Sequence, residues 1–172
     1  MERIMIIGFS GCGKSTLARR IGEKTGIEPV HMDALHWLPG WVESDDAHKT
    51  ELLKPVLEKK RWIIEGSYRR ILWHERIENA DTIIFLDYNR FLCLWRVIKR
   101  RIMYSGKTRP DMGKGCVEKL DAEFIYWVLI EGRRKRKKLY SELDQIRNIF
   151  PKKDIYIFVK PSQCEKFLDG LE

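Results

Sequence analysis

The sequence predicts an α/β fold: a five-stranded parallel sheet with helices on both faces and a short lid. Two observations carry this expectation. Five short apolar runs alternate with stretches of helical periodicity, the order in which a parallel sheet is wound. The first run stops at a glycine-rich loop that leads straight into a helix, and ligands of such sheets bind at the carboxyl ends of the strands. The 172 residues are the length of one domain, residues 1–172, able to bury a core without disulfides or a structural metal.

Each element follows from local pattern. Ile4 to Ile7 form an apolar run ended by Gly8, as in a strand covered on both faces. Leu17, Ala18 and Ile21 then recur at helical spacing up to Gly26, and a second strand spans 28–32. Residues 33–41 read as loop. Ser44, Asp45 and Asp46 start a helix through about Lys60, with a kink expected at Pro55. Residues 61–66 supply the third strand, 68–79 a helix, and 81–89 the fourth strand, ending near Asp87. A helix over 90–104 precedes a segment rich in Gly and charge, 105–116, which reads as a mobile lid. Helical composition fills 118–150, with Gly132 as a potential interruption; Pro151 stops it before a last strand at 154–159 and a closing helix.

Composition narrows the partners. There are 33 Lys and Arg against 25 Asp and Glu, a formal +8, which favours polyanions, nucleotides and nucleic acids alike. Cys12, Cys93, Cys116 and Cys164 lie far apart without metal-ligand spacing, so neither a disulfide framework nor a zinc site is expected and a reduced cytoplasmic compartment fits. The apolar start is too short for a signal peptide and no window reaches a membrane span, so no membrane partner is expected. His31, His36, His48 and His74 show no ligand or triad spacing.

The strongest chemical signal is Gly8-Phe9-Ser10-Gly11-Cys12-Gly13-Lys14-Ser15, which fits GxxxxGK[ST] between a strand and a helix. Backbone N–H groups of such a loop converge on phosphate oxygens, Lys14 reaches the terminal phosphates, and Ser15 can ligate Mg²⁺. Gly8, Gly11, Cys12, Gly13, Lys14, Ser15 and Thr16 are therefore expected to hold ATP in a P-loop NTPase fold. A phosphate loop names the donor and not the reaction. A compact chain with a basic lid points to an ATP-dependent kinase acting on a small molecule. Arg96 and Arg100, at i and i+4, share one helix face. Lys14, Arg100 and the lid's Arg109 would neutralise charge on the moving phosphoryl group, and Asp33, just past the second strand, stands where similar small-molecule kinases place a carboxylate that binds or deprotonates the acceptor hydroxyl. Trp37 and Trp41 offer aromatic faces beside it.

Taken together, these residues resemble the adenylate-kinase-like branch of the phosphate-loop kinases over nearly the whole chain. Glu65-Gly66-Ser67-Tyr68-Arg69 is similar to the DGFPR segment of adenylate kinases. The resemblance implies that Glu65 orients Mg²⁺ water and that Arg69 meets an acceptor phosphate. It also implies that Arg96 lies near the base, Arg100 at the transferring phosphate, and Lys160-Pro161 against the adenine. The segment from His31 to Trp41 departs from the TGD-type segment of adenylate kinases, which argues against AMP as the acceptor. Asp33-x-x-x-Trp37 with Pro39-Gly40-Trp41, the KRR of 99–101, GKTRPDM in the lid and DAEFIYWV resemble the DNA-topology-modulation or flagellar-regulator proteins.

That resemblance and the run Arg133 to Lys138 supply an alternative, a nucleotide-dependent protein that modulates DNA topology or transcription through a basic surface. A regulator that binds ATP without a small acceptor is a third class. No helix-turn-helix, zinc finger or RNP-type strand accompanies the basic run. If one helix continues through Gly132, Arg133, Arg136 and Lys137 face outward and Lys135 falls on the apolar face, with Arg133 or Arg134 turned to the nucleotide.

Overall fold

The computed structural model describes residues 1–171. Its elements run β1 (Arg3–Gly8), α1 (Lys14–Thr25), β2 (Pro29–His31), α2 (Met32–His36), β3 (Trp37–Leu38), β4 (Val42–Glu43), α3 (Asp46–Leu57), β5 (Trp62–Glu65), α4 (Trp73–Asn79), β6 (Thr82–Leu86), α5 (Arg90–Met103) and α6 (Ala122–Leu129). A 3₁₀ turn (Glu131–Arg133), α7 (Arg136–Ile149), β7 (Asp154–Phe158) and α8 (Pro161–Asp169) complete the chain. The main sheet has the order β2-β5-β1-β6-β7 with every pairing parallel, and β3 and β4 form a separate small hairpin.

Successive strand residues point to opposite faces, so each continuous apolar run feeds two cores. Ile4, Ile6, Ile63 and Ile84 pack with Leu17, Ile21, Val97 and Leu168 from α1, α5 and α8. Met5, Ile7, Ile64 and Phe85 pack with Leu53, Ile77, Leu143 and Ile146 from α3, α4 and α7. None of the described helices is long and apolar enough to cross a membrane.

Element boundaries differ from expectation where side chains capture backbone groups. Asp45 caps α3 by accepting from Ala47 N at 3.0 Å, but the helix stops at Leu57 and not near Lys60, two residues after Pro55, which has no N–H to donate. The helix expected from residue 68 begins only at Trp73. The buried Arg76 guanidinium takes the carbonyls of Gly66 (2.9 Å) and Tyr68, holding this loop out of the helix. The stretch from 118 to 150 is two helices. Between them Gly132 lies so close to Trp127 that a Cβ would come within 2.9 Å of its indole Nε1 and 3.0 Å of its carbonyl oxygen.

The segment expected as a lid, 105–116, lies within residues 105–121, which carry bridges Ser105–Glu118 and Thr108–Val117. Arg109, Asp111, Met112, Cys116 and Glu118 are buried.

Candidate active site

The phosphate loop leaves β1 at the centre of the sheet and enters α1, whose first-turn backbone N–H groups face the carboxyl edge. The parallel register puts Ile6 beside Glu65 on one side and His31 beside Glu65 on the other. Glu65 is therefore delivered to the loop from the end of β5, almost fully buried. Ser15 Oγ donates to Glu65 Oε2 at 3.2 Å, Lys14 Nζ lies 3.8 Å from Oε1, and His31 Nδ1 stands 3.0 Å from Oε2. Burial opposes the charge on Lys14, but its neighbours, the Glu65 and Asp33 carboxylates among them, raise its pKa on balance. Burial pushes the Cys12 thiol up to about 11, so it stays protonated and serves as packing beneath the loop. Ser67 ties the loop to β5: its hydroxyl accepts from Gly8 N and donates to Gly8 O, both at 3.1 Å.

Mg²⁺ needs only one or two protein oxygens beside phosphate and water. The Ser15 hydroxyl and the Glu65 carboxylate meet that requirement. No group of three His, Cys, Asp or Glu among the described residues is arranged to hold a metal by itself, which fits an ion that arrives with its nucleotide.

The arginines converge on the same edge. Arg96 donates to Cys12 O at 2.9 Å and lies over the Tyr88 ring. Arg100 Nε donates to Glu118 Oε1 at 2.7 Å. Arg109 Nε sits 2.7 Å from Glu118 Oε2, an ion pair by distance although its N–H points off that axis. Asp111 is 3.1 Å from Arg109 and 3.6 Å from Arg19. Burial lowers the Arg100 pKa, and the Arg109 charge lowers it further. Glu118 thus holds together two guanidiniums that would otherwise repel. Glu118→Gln should lower stability by about 2 kcal/mol, less than a fully buried broken pair, because Arg100 keeps 24% of its side chain in water. Thermal melts check this: the loss should shrink when ATP is added, because phosphate oxygens replace the missing carboxylate.

The opposite wall is built on α2 and the loop after β5. Asp33 stands in the first turn of α2, where Oδ1 accepts from Tyr68 OH at 2.7 Å. Burial, then the Asp33 charge, drives the Tyr68 pKa far upward, so the phenol remains a donor. His36 stacks against Trp37 and Tyr68 with both ring centroids 4.6 Å away. Its pKa is lowered by burial and then by Lys49, leaving a neutral ring that accepts from Lys49 Nζ at 3.0 Å. Trp37 lines the cavity, and Trp41 meets it edge to face at 5.5 Å. Arg69 also lines the cavity, yet its guanidinium is paired with Glu142 and stacked on Trp73 instead of standing free.

The lid is stitched to the β3–β4 hairpin. Gly40 N donates to Gly115 O, Cys116 Sγ to Leu38 O at 3.1 Å, and Trp41 Nε1 to Val117 O at 2.8 Å. The last contact holds Trp41 in the left-handed region, at φ 65°, which a side chain rarely adopts. Gly113 lies so close to Trp37 that a Cβ would stand 2.0 Å from its carbonyl oxygen.

The basic run is divided differently from expectation. Arg133 turns inward, while Arg136 stays half in water and reaches Asp87 from the surface. Arg136 makes a two-pronged contact with Asp87, with Nη2 to Oδ2 at 2.6 Å, and Tyr140 OH donates to the same carboxylate at 2.6 Å. Arg133 lies 3.8 Å from Asp87, donates to Tyr88 O, and covers the Phe9 ring of the phosphate loop. Arg134 is exposed and pairs with Glu131, while Lys135 is the residue before α7 and is exposed, not on an apolar face. The break at Gly132 changes the register, which is why the helical projection failed.

One cavity of about 1690 Å³ opens between the phosphate loop, the arginines and the α2 wall. Lys14, Ser15, Thr16, Asp33, Trp37, Arg69, Arg96, Arg100, Arg109 and Pro161 line it, with Lys160 exposed at the residue before Pro161. Pockets for one small ligand run to about 300–1,000 Å³, so the volume suits two ligands side by side.

Superposition on solved structures accounts for nearly the whole chain. A shikimate kinase from Acinetobacter baumannii in complex with shikimate aligns at TM-score 0.61 and 18% identity, over 98% of this chain and 92% of that one. The fold is that of the phosphate-loop kinases. A shikimate kinase from Bacteroides thetaiotaomicron follows at TM-score 0.56 and 17% identity, over 98% and 94%. Deoxyadenosine kinase from M. mycoides with bound dATP aligns at 0.51 and 15%, over 98% of both chains. No family model and no curated protein matches the sequence. Within this fold, Tyr68, Ser67, His31 and Glu118 contact the candidate site residues without the sequence having singled them out, and Arg76 holds the loop after β5. Tyr68, Ser67 and His31 reach partners 35, 59 and 34 positions away, and only the motif spacing around Glu65 pointed at that neighbourhood.

Proposed function

We propose that the chain is an ATP-dependent kinase that transfers the terminal phosphate of ATP to a hydroxyl of a small acceptor. The observation that carries this reading is the placement of Asp33 in the same cavity as Lys14 and Ser15, behind which the buried Glu65 contacts both. ATP lies along the phosphate loop, with Arg96, Lys160 and Pro161 toward its base and Lys14 at the terminal phosphates. Mg²⁺, held through Ser15 and Glu65, supplies neutralisation of phosphate charge when bound. Asp33 takes the proton of the acceptor hydroxyl through the oxygen that Tyr68 leaves free. The acceptor oxygen forms its bond to the γ phosphorus as the bond from that phosphorus to the bridging oxygen breaks, and the electron pair leaves with ADP. Arg100 and Arg109 stabilise the charge on the moving group.

The basic run gives the nucleic-acid alternative no second observation. Arg133 and Arg136 are engaged with Asp87 and Arg134 with Glu131. Acceptor-dependent ADP release, measured across a panel of hydroxylated compounds, tests the kinase reading. Asp33→Asn keeps the Tyr68 hydrogen bond and should lower kcat by about a hundredfold or more, with ATP affinity unchanged. Full activity in that variant would remove Asp33 from its role.

A further inference from the structure

We infer that the acceptor is an uncharged alcohol carrying a flat ring, in chemical terms a nucleoside and not a nucleotide. This rests on the kinase reading above and narrows its substrate. The first ground is charge. Each cation on the acceptor side already has an anion. Arg69 is paired with Glu142. Arg70 lies 3.6 Å from both Glu43 and Asp46. Lys49, its side chain only 1% exposed, lies 2.7 Å from Asp46 and 3.8 Å from Glu43. Asp33 adds a fourth carboxylate, whose hydrogen-bond partner is a phenol and whose charge is felt by Lys14 on the phosphate loop. Four carboxylates thus stand on this wall against three cations, with Lys14 on the donor side, and His36 is held neutral by burial and by Lys49. A phosphate or carboxylate on the acceptor would enter a field of its own sign, with no free guanidinium to receive it.

The second ground is shape. His36, Trp37, Trp41 and Tyr68 form a continuous chain of ring contacts next to Asp33. An aromatic wall that carries a hydrogen-bonded carboxylate at its edge binds a planar ring by stacking and an attached hydroxyl by the carboxylate. The same wall offers little to an acyclic polyol.

The test uses the full chain with ATP and Mg²⁺ and compares nucleosides, their 5′-monophosphates, sugars and sugar acids by ADP release. The expected result is turnover with nucleosides at a kcat/KM about a hundredfold above the matching monophosphates. Turnover confined to phosphorylated or carboxylated acceptors, or greater with sugars than with nucleosides, overturns the inference and leaves the kinase reading standing. If nothing is turned over, the kinase reading fails on its own. Calorimetric binding to the Lys14→Ala variant still decides the present point, since tighter binding of the monophosphate than of the nucleoside overturns it. Glu142→Gln provides a second check. Releasing Arg69 should shift discrimination toward monophosphates by at least about tenfold, and an unchanged ratio would show that charge pairing does not set the choice.

Discussion

Lys14→Ala should lower phosphoryl transfer by about a thousandfold while the chain still melts cooperatively. The size follows from the proposed kinase reading, in which Lys14, a cation on the loop whose Nζ reaches both Phe9 O and the Glu65 carboxylate, meets the terminal phosphates. Its removal deletes charge stabilisation that grows as the phosphoryl group moves. The fold should tolerate the change, because Ser15 and His31 continue to contact Glu65. Steady-state turnover measured beside circular dichroism checks both halves. Activity within tenfold of the parent, in a folded variant, would contradict the assignment.

The second large effect is on stability and concerns Asp87, at the end of β6. Its side chain is 1% exposed and receives Arg136, Arg133 and Tyr140 together. Asp87→Ala should cost about 4 kcal/mol, since it leaves the buried Arg133 without its anion. For a chain of this size that is a melting temperature lower by roughly 10 °C. Arg136→Ala, at a side chain half in water, should cost about 1 kcal/mol. Denaturant or thermal melts of the two variants give the comparison. Equal losses would mean that the half-exposed Arg136 contact, and not the pairing with Arg133, accounts for the cost.

The same cluster shows where sequence reading succeeded and where it stopped. The strand containing Asp87, the phosphate loop and the arginines at 96 and 100 were legible because each is a local pattern: an apolar run, a glycine spacing, an i, i+4 step. The parallel sheet followed from their order. Asp33 and Glu65 were legible as strand-end carboxylates, but the groups that complete them were not. Tyr68 reaches Asp33 across 35 positions and Glu118 joins Arg100 to Arg109 from the far end of the lid. Such pairings have no period to detect. The inward turn of Arg133 was hidden for a related reason: a projection over one continuous helix assigns faces wrongly once Gly132 resets the rotation.

The contact between Gly113 and Trp37 bears on how this scaffold could be altered. With no room for a Cβ, which would stand 2.0 Å from the Trp37 carbonyl oxygen, the lid tip and the β3–β4 hairpin are cut to each other's shape. A hairpin transplanted alone from another protein of this fold would have no matching surface above it. Residues 37–43 and 105–121 therefore constitute one exchangeable cassette, and an effort to retarget the acceptor has to move both segments together.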